Sequence, residues 1–316
     1  MDLVSLDAIQ RAAKQLSGVA VRTPLLPYSW DDELWLKPEN LQPVGAFKLR
    51  GAHNAVACLP PDVRARGVLT HSSGNHGQAL AYAARAFAVP CVVVMPAVAP
   101  QVKIAATRAA GAEIVLVEPE HRLRAANRLA GERGMTIVPP YDHIDVIAGQ
   151  GTVGLEIVED LPELDVVLVP VGGGGLASGV ATAVKALRPV ARVIGVEPEL
   201  AADARDSLTA GELRTWPAER TYRTMADGLR TNLSELTFAH LRERLDGIVT
   251  VTEREIAAAV GRLVRGTRIV VEPSGAVAAA ARLYHRVELP PGRTVAVVSG
   301  GNVEPARLAE LVIAED

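Results

Sequence analysis

The 316 residues are 49% apolar and 22% charged, the balance of a globular chain long enough for two lobes. Thirty-six acidic against 33 basic residues leave a net charge of −3, and only 3% of residues are aromatic. That excludes an electrostatic footprint for nucleic acid or anionic lipid and leaves little for base stacking. No apolar run approaches the roughly 18 residues of a membrane span. The N-terminus lacks the basic start and apolar block of a signal peptide. Cys58 and Cys91 stand far apart without metal-binding or redox spacing, as small hydrophobes of a reduced cytosol. A cytoplasmic protein is expected.

In chain order, Leu3, Leu6, Ile9, Ala13 and Leu16 have helical spacing. Residues 21–26 read as extended and residues 34–37 as a short strand. A turn-rich stretch, 38–45, leads to Lys48, which stands between Phe47 and Leu49 ahead of a helix predicted over 52–59. Apolar neighbours push a lysine towards its neutral form, and only the neutral amine attacks a carbonyl. Read alone, the same lysine is also a snorkelling surface side chain. Residues 67–70 form a strand that ends in His71-Ser72-Ser73-Gly74-Asn75-His76-Gly77, ahead of a helix over 78–87. Strands over 91–95 and 112–117 flank a helix over 102–110.

The alternation restarts with a strand over 166–170, the run Gly172-Gly173-Gly174-Gly175, a helix over 178–187 and a strand over 192–196. Residues 199–232 read as loop and short helices. A strand over 247–251, helices over 253–265 and 272–286 and a last strand over 294–298 follow. Apolar strands alternating with helices predict an α/β fold of mostly parallel twisted sheets covered by helices. The pattern divides into a large lobe, 1–60 and 145–316, and an inserted small lobe, 61–144, with the site in the cleft.

Four stretches can carry chemistry. Gly172 to Gly175 follows a strand and opens a helix, which gathers backbone N–H groups around one point and suits a phosphate. Gly172-x-Gly174-x-x-Ala177 also matches a dinucleotide fingerprint, with Glu197 ending the next strand, so a nicotinamide-dependent oxidoreductase is a rival reading. Ser72, Ser73, Gly74, Asn75 and His76 offer hydroxyls, an amide and backbone donors to a carboxylate or a ring oxygen, and equally to the helix they open. Ser299, at the end of the last strand, can pair with a ring nitrogen or simply sit in a turn. Glu197 and Asp203, with the Ala201 carbonyl between them, offer the oxygen ligands that a divalent cation prefers, although paired loop carboxylates are often just solvated.

Taken together, Gly45-Ala46-Phe47-Lys48-Leu49-Arg50-Gly51-Ala52, residues 71–78, Val146-Ile147-Ala148-Gly149-Gln150-Gly151-Thr152, Gly172 to Gly175, Ala226-Asp227-Gly228, Val271-Glu272-Pro273-Ser274-Gly275-Ala276 and Ser299-Gly300-Gly301-Asn302 resemble, in this order, one family. It is that of the pyridoxal-phosphate-dependent serine/threonine dehydratases and serine racemases, of the tryptophan synthase β-like fold. The resemblance implies that Lys48 carries the cofactor covalently and acts as the base, with Phe47 packed beside it. It gives Gly172, Gly173, Gly174 and Gly175 to the phosphate, Asn75 to the ring hydroxyl, Ser299 to the pyridine nitrogen, and Ser72 to His76 to the substrate carboxylate. Glu197, Ala201 and Asp203 fall where racemase-like members bind Mg²⁺, Ca²⁺ or Mn²⁺.

The implied reaction is loss of water and ammonia from L-threonine or L-serine to give a 2-oxo acid, in a homodimer. Ser73 matches the second proton-exchanging group of the racemases, whereas Tyr141 matches the aromatic common in dehydratases. Pro139-Pro140-Tyr141-Asp142-His143 is similar to hydroxyaspartate dehydratases, and Ala46 departs from the family's usual serine. The chain ends soon after Ser299, as expected of the short catabolic dehydratases. A cofactor-binding relative without turnover is the other competing class.

Overall fold

Runs of branched apolar residues build two sheets in the computed structural model, which describes residues 2–72, 74–99 and 101–313. The strands are β1 (Leu26–Tyr28), β2 (Asp31–Pro38), β3 (Val68–Thr70), β4 (Cys91–Pro96), β5 (Glu113–Val117), β6 (Thr136–Ile137), β7 (Val166–Pro170), β8 (Arg192–Pro198), β9 (Gly247–Val251) and β10 (Thr294–Val298). One sheet has the order β1-β2-β10-β7-β8-β9 and the other β5-β4-β3-β6. Every described strand pairing is parallel except β1 with β2, an antiparallel pair at the sheet edge, of which the sequence indicates β2 in part as residues 34–37.

Every residue of β7 and β10 is buried, which explains their unbroken apolar composition: helices cover both faces of a parallel strand. Alternate residues feed separate cores. Val166, Leu168, Ala296 and Val298 join one cluster, while Val167, Val169, Val295 and Val297 join the other. Among the described residues no helix is long and apolar enough to cross a membrane.

Helices open at residues that bear the candidate chemistry, and those at Lys48, Asn75 and Gly175 open earlier than periodicity indicates. They span Lys48–Cys58, Asn75–Ala86, Gly175–Leu187 and Pro273–Tyr284. Glycine and polar residues disfavour a helix locally, so packing rather than propensity sets these starts. The helix Ile144–Asp160 has no amphipathic stripe because residues all round it are buried, and periodicity does not reveal it. Helices Arg122–Arg133, Glu235–Arg244 and Pro305–Ile313 also lie outside the sequence reading. Ile144–Asp160 crosses Lys48–Cys58 at Gly149, where a Cβ would stand 2.5 Å from the Arg50 carbonyl oxygen. Any side chain there would push the two helices apart.

Next to that crossing lies a buried ionic network. Arg50 donates through Nε to Glu39 Oε2 at 2.7 Å and through Nη2 to Glu39 Oε1 at 2.8 Å. Its Nη1 reaches Glu156 Oε1 at 2.6 Å and Thr152 Oγ1 at 3.1 Å. Lys37 Nζ donates to Glu156 Oε2 and the Thr23 carbonyl, both at 2.6 Å. Burial works against the Glu39 carboxylate, yet the Arg50 charge and its hydrogen bonds hold the pKa below the usual range. Removing one partner leaves a buried charge uncompensated. Glu39→Ala is therefore expected to cost about 3–5 kcal/mol, read as a lowered urea midpoint, while exposed Glu132→Ala changes it by less than about 1 kcal/mol.

Candidate active site

Lys48 is the first residue of its helix, and the end of β10 fixes its approach. The Phe47 N–H donates to the Ser299 carbonyl at 3.1 Å, and Ala46 bridges Gly300. Lys48 Nζ donates to the Pro140 carbonyl at 2.6 Å and lies 5.0 Å from the centre of the Phe47 ring. Burial lowers its pKa from 10.5 to about 8. With a carbonyl and a ring beside it rather than a carboxylate, the amine is ready to become neutral close to physiological pH.

The glycine run closes on the same place from β7. A Cβ at Gly173 would stand 2.3 Å from the Tyr141 ring, and one at Gly172 would stand 2.8 Å from the Leu229 Cα. Gly174 has φ +84° and makes no side-chain cap for the helix that starts at Gly175. The N–H groups of that first turn have no intrahelical acceptors and can donate to an anion. Pro140 and Tyr141 thus join the lysine to the glycine loop. The close approach of Tyr141, Leu229 and Leu233 is what requires glycine here, and the free N–H groups of the helix start are the donors that fit the phosphate of a cofactor.

A second set of groups converges from the helix after β3 and from the end of β10. Asn75 opens its helix and donates through Nδ2 to Glu272 Oε1 at 2.6 Å, while its Oδ1 accepts from Asn302 Nδ2 at 2.8 Å. Ser299 is buried, and its hydroxyl donates to the Ser274 carbonyl at 3.3 Å. Ser274 Oγ accepts from the Gly228 N–H at 2.9 Å, and neighbouring Asp227 receives Lys103 Nζ at 2.7 Å. Ser72 Oγ accepts from the Gly74 N–H at 3.3 Å. His76 is buried, with Nε2 2.9 Å from the Val138 carbonyl, and burial pushes its pKa down to about 3, so the ring is neutral. Ser73 lies outside the described residues.

Glu197 and Asp203 form a separate centre behind the glycine loop. Both are buried, Glu197 accepting from the N–H groups of Ala204 (3.0 Å) and Arg205 (2.8 Å) and Asp203 from that of Leu233 (2.9 Å). The Leu233 side chain in turn packs against Gly174. Ala201 is buried between them in sequence. Burial and then the Asp203 charge raise the pKa of Glu197 well above the carboxylate range, and burial raises Asp203 to about 6. Two buried acids held by backbone donors suit a hard cation. No group of three or more His, Cys, Asp or Glu side chains gathers for a metal among the described residues, so further ligands would be carbonyls and water. The same burial removes Glu197 from reach of a ribose, which takes away the main support for a dinucleotide at this loop.

Glu272, Asn302, Asp227, Lys103 and Arg122 receive no role from the sequence. An acid before a proline at a helix start reads as an ordinary cap, Asp227 and Asn302 fall in motifs of the resemblance without a role, and Lys103 and Arg122 fall in none. Arg122 Nη2 donates to the Tyr222 hydroxyl at 3.3 Å. Burial and then the Arg122 charge lower the pKa of His71.

Asp203 takes up its proton at a higher pH than the unfolded chain does, at about 6 against 3.8. Its contribution to the stability of the metal-free protein is complete below pH 3.8 and is lost as pH rises through 6. Urea unfolding between pH 4 and pH 8 (roughly the span of these shifts) should therefore show a stability that falls more steeply with pH in the wild type than in Asp203→Asn.

A family model described as "Pyridoxal-phosphate dependent enzyme" matches residues 16–300. An L-threo-3-hydroxyaspartate ammonia-lyase of Saccharomyces cerevisiae is 41% identical over 311 residues, which cover 97% of this chain and 94% of that protein. An L-threonine ammonia-lyase of Thermotoga maritima is 41% identical over 312 residues, 96% of this chain and 76% of that protein. Among solved structures, maize serine racemase superposes with a TM-score of 0.93 at 35% identity, covering 98% of this chain and 97% of that one.

Proposed function

This chain belongs to the pyridoxal-phosphate dependent enzyme family, and we propose that within it the chain is an ammonia-lyase that removes water from L-threonine and L-serine. The products are a 2-oxo acid and ammonia. The observation that carries the reading is Lys48 itself, an amine of lowered pKa that the Pro140–Tyr141 turn links to a glycine cradle. A dehydratase relative and a hydroxyaspartate ammonia-lyase relative at 41% identity support the reaction class.

In this reading Lys48 holds the cofactor through Nζ, and Gly172, Gly173, Gly174 and Gly175 hold its phosphate by backbone N–H groups. Pyridoxal phosphate supplies an electron sink for the pair released when the substrate's Cα–H bond breaks. Asn75 donates to the ring oxygen. Ser299 would pair with the ring nitrogen as a neutral partner. Residues 72–76 receive the substrate carboxylate at a helix N-terminus. Neutral Lys48 Nζ, when free, would take the substrate's Cα proton. Phe47 and Tyr141 keep water from that amine.

Residues 61–144 act as the small lobe over residues 1–60 and 145–316, in a cytoplasmic homodimer. Glu197, the Ala201 carbonyl and Asp203 hold a divalent cation that fixes the loop behind the glycine cradle. Mg²⁺ should therefore raise the melting temperature of the wild type at about pH 8 and leave Asp203→Asn unchanged.

Arg122 favours a second substrate, threo-3-hydroxyaspartate, since a guanidinium whose charge acts on His71 can meet a second carboxylate. Serine racemisation would use Ser73 as the second proton carrier. The decisive test is the visible spectrum of the purified protein, then turnover of L-threonine, L-serine, D-serine and threo-3-hydroxyaspartate. A yellow band that Lys48→Ala abolishes, with fastest 2-oxo acid release from L-threonine or L-serine, is expected. A protein that stays colourless with added pyridoxal phosphate would overturn the reading. Arg122→Met should lower kcat/KM for hydroxyaspartate by about tenfold or more and spare L-threonine; faster release from hydroxyaspartate in the wild type would put the second reading first.

A further inference from the structure

Glu272 places an acid where no assigned role needs one. It stands at the N-cap of Pro273–Tyr284 with extended backbone (φ −80°, ψ 159°), where a carboxylate ordinarily accepts from the first-turn N–H groups, yet its side chain makes no capping bond. The carboxyl turns instead towards the small-sheet side. It is 4% exposed, and Oε1 accepts from Asn75 Nδ2 at 2.6 Å. Gly300 provides the room, since a Cβ there would stand 2.1 Å from that oxygen.

The other half of the Asn75 amide is also engaged. Its Oδ1 accepts from Asn302 Nδ2 at 2.8 Å, and the same nitrogen donates to the Val44 carbonyl, also at 2.8 Å. A carboxamide has one acceptor oxygen and one nitrogen with two protons. With the oxygen opposite a donor and one N–H opposite Glu272, the amide can point only one way. Its remaining N–H stays a donor.

We propose that Glu272 is the positioning residue that fixes the amide of Asn75 so that a donor, and never the carbonyl oxygen, meets the ring oxygen of the cofactor. The inference rests on the role given to Asn75 above. Other charged groups around Glu272 fit this task. Asp227 faces it from the turn 227–229, and Lys103 from the helix Gln101–Ala109 is spent on Asp227 at 2.7 Å. Burial first, and then Asp227, raise the Glu272 pKa to about 8, so near neutrality it is a protonated acid. It can orient the amide without setting a full negative charge beside the ring oxygen.

The test titrates pyridoxal phosphate into the cofactor-stripped full chain and records affinity together with the absorbance band of the bound cofactor. Leu at 272 removes the acceptor, and E272D withdraws it by one methylene while keeping an acid, so a folding failure of E272L leaves the second variant to decide. Both are expected to weaken cofactor binding about tenfold, the loss of one hydrogen bond in a buried site, and to move part of the yellow band into the near ultraviolet. E272Q keeps an acceptor and should stay within about threefold of the wild-type affinity. N75A/E272L should bind no more weakly than N75A, because both changes remove one effect. Wild-type affinity and band in E272D and E272L, or additive losses in the double variant, would overturn the inference. Wild-type behaviour of N75A would instead sink the role of Asn75 on which it rests.

Discussion

Arg50 is the group to which the rest of the site is tied. Its fork on Glu39, and its bonds to Glu156 and Thr152, join the strand-end turn after β2, the first turn of Lys48–Cys58 and the middle of Ile144–Asp160. With Lys37, the four buried charges sum to zero, which is the condition under which so much charge can leave water. Lys48 lies two residues away in the same helical turn and inherits its direction from that anchor. The contrast between the two cations matters for the chemistry: Arg50 is surrounded by carboxylates and keeps its charge, whereas Lys48 meets a carbonyl and a ring and is poised to lose its proton.

Around that lysine several helices begin rather than end. Lys48, Asn75, Gly175 and Pro273 each open one, at or just beyond the strand ends that face the site. Helix N-termini present unpaired N–H groups and partial positive charge, so their convergence creates a field suited to a phosphate and a carboxylate. Burial, by contrast, is what lowers the pKa of Lys48.

Periodicity made much of the fold legible. Strands such as β4, β7 and β10 are apolar without interruption because helices cover both faces, and the helix 253–267 carries a clean stripe. The reading falters where packing overrides pattern. Ile144–Asp160 is buried on all sides, and Lys48 and Asn75 start helices on residues that look like turns. The glycine run, Lys48 and the serine-rich loop could be picked out because each is an unusual residue set at a strand or helix boundary. Glu272 could not, since a buried acid that turns away from its own helix has the same sequence signature as one that caps it.

The sequence by itself determined the α/β class and membership of a pyridoxal-phosphate family, because strand–helix alternation and the order of local motifs are properties of neighbouring residues. Tertiary structure alone decided that Glu272 meets Asn75 across 197 positions and that Arg50 meets Glu156 across 106. It also decided that Glu197 turns into backbone donors instead of facing a ribose. The physical reason is that protonation and hydrogen-bond direction depend on what surrounds a group in space. Those surroundings are assembled only when distant segments pack and water is excluded.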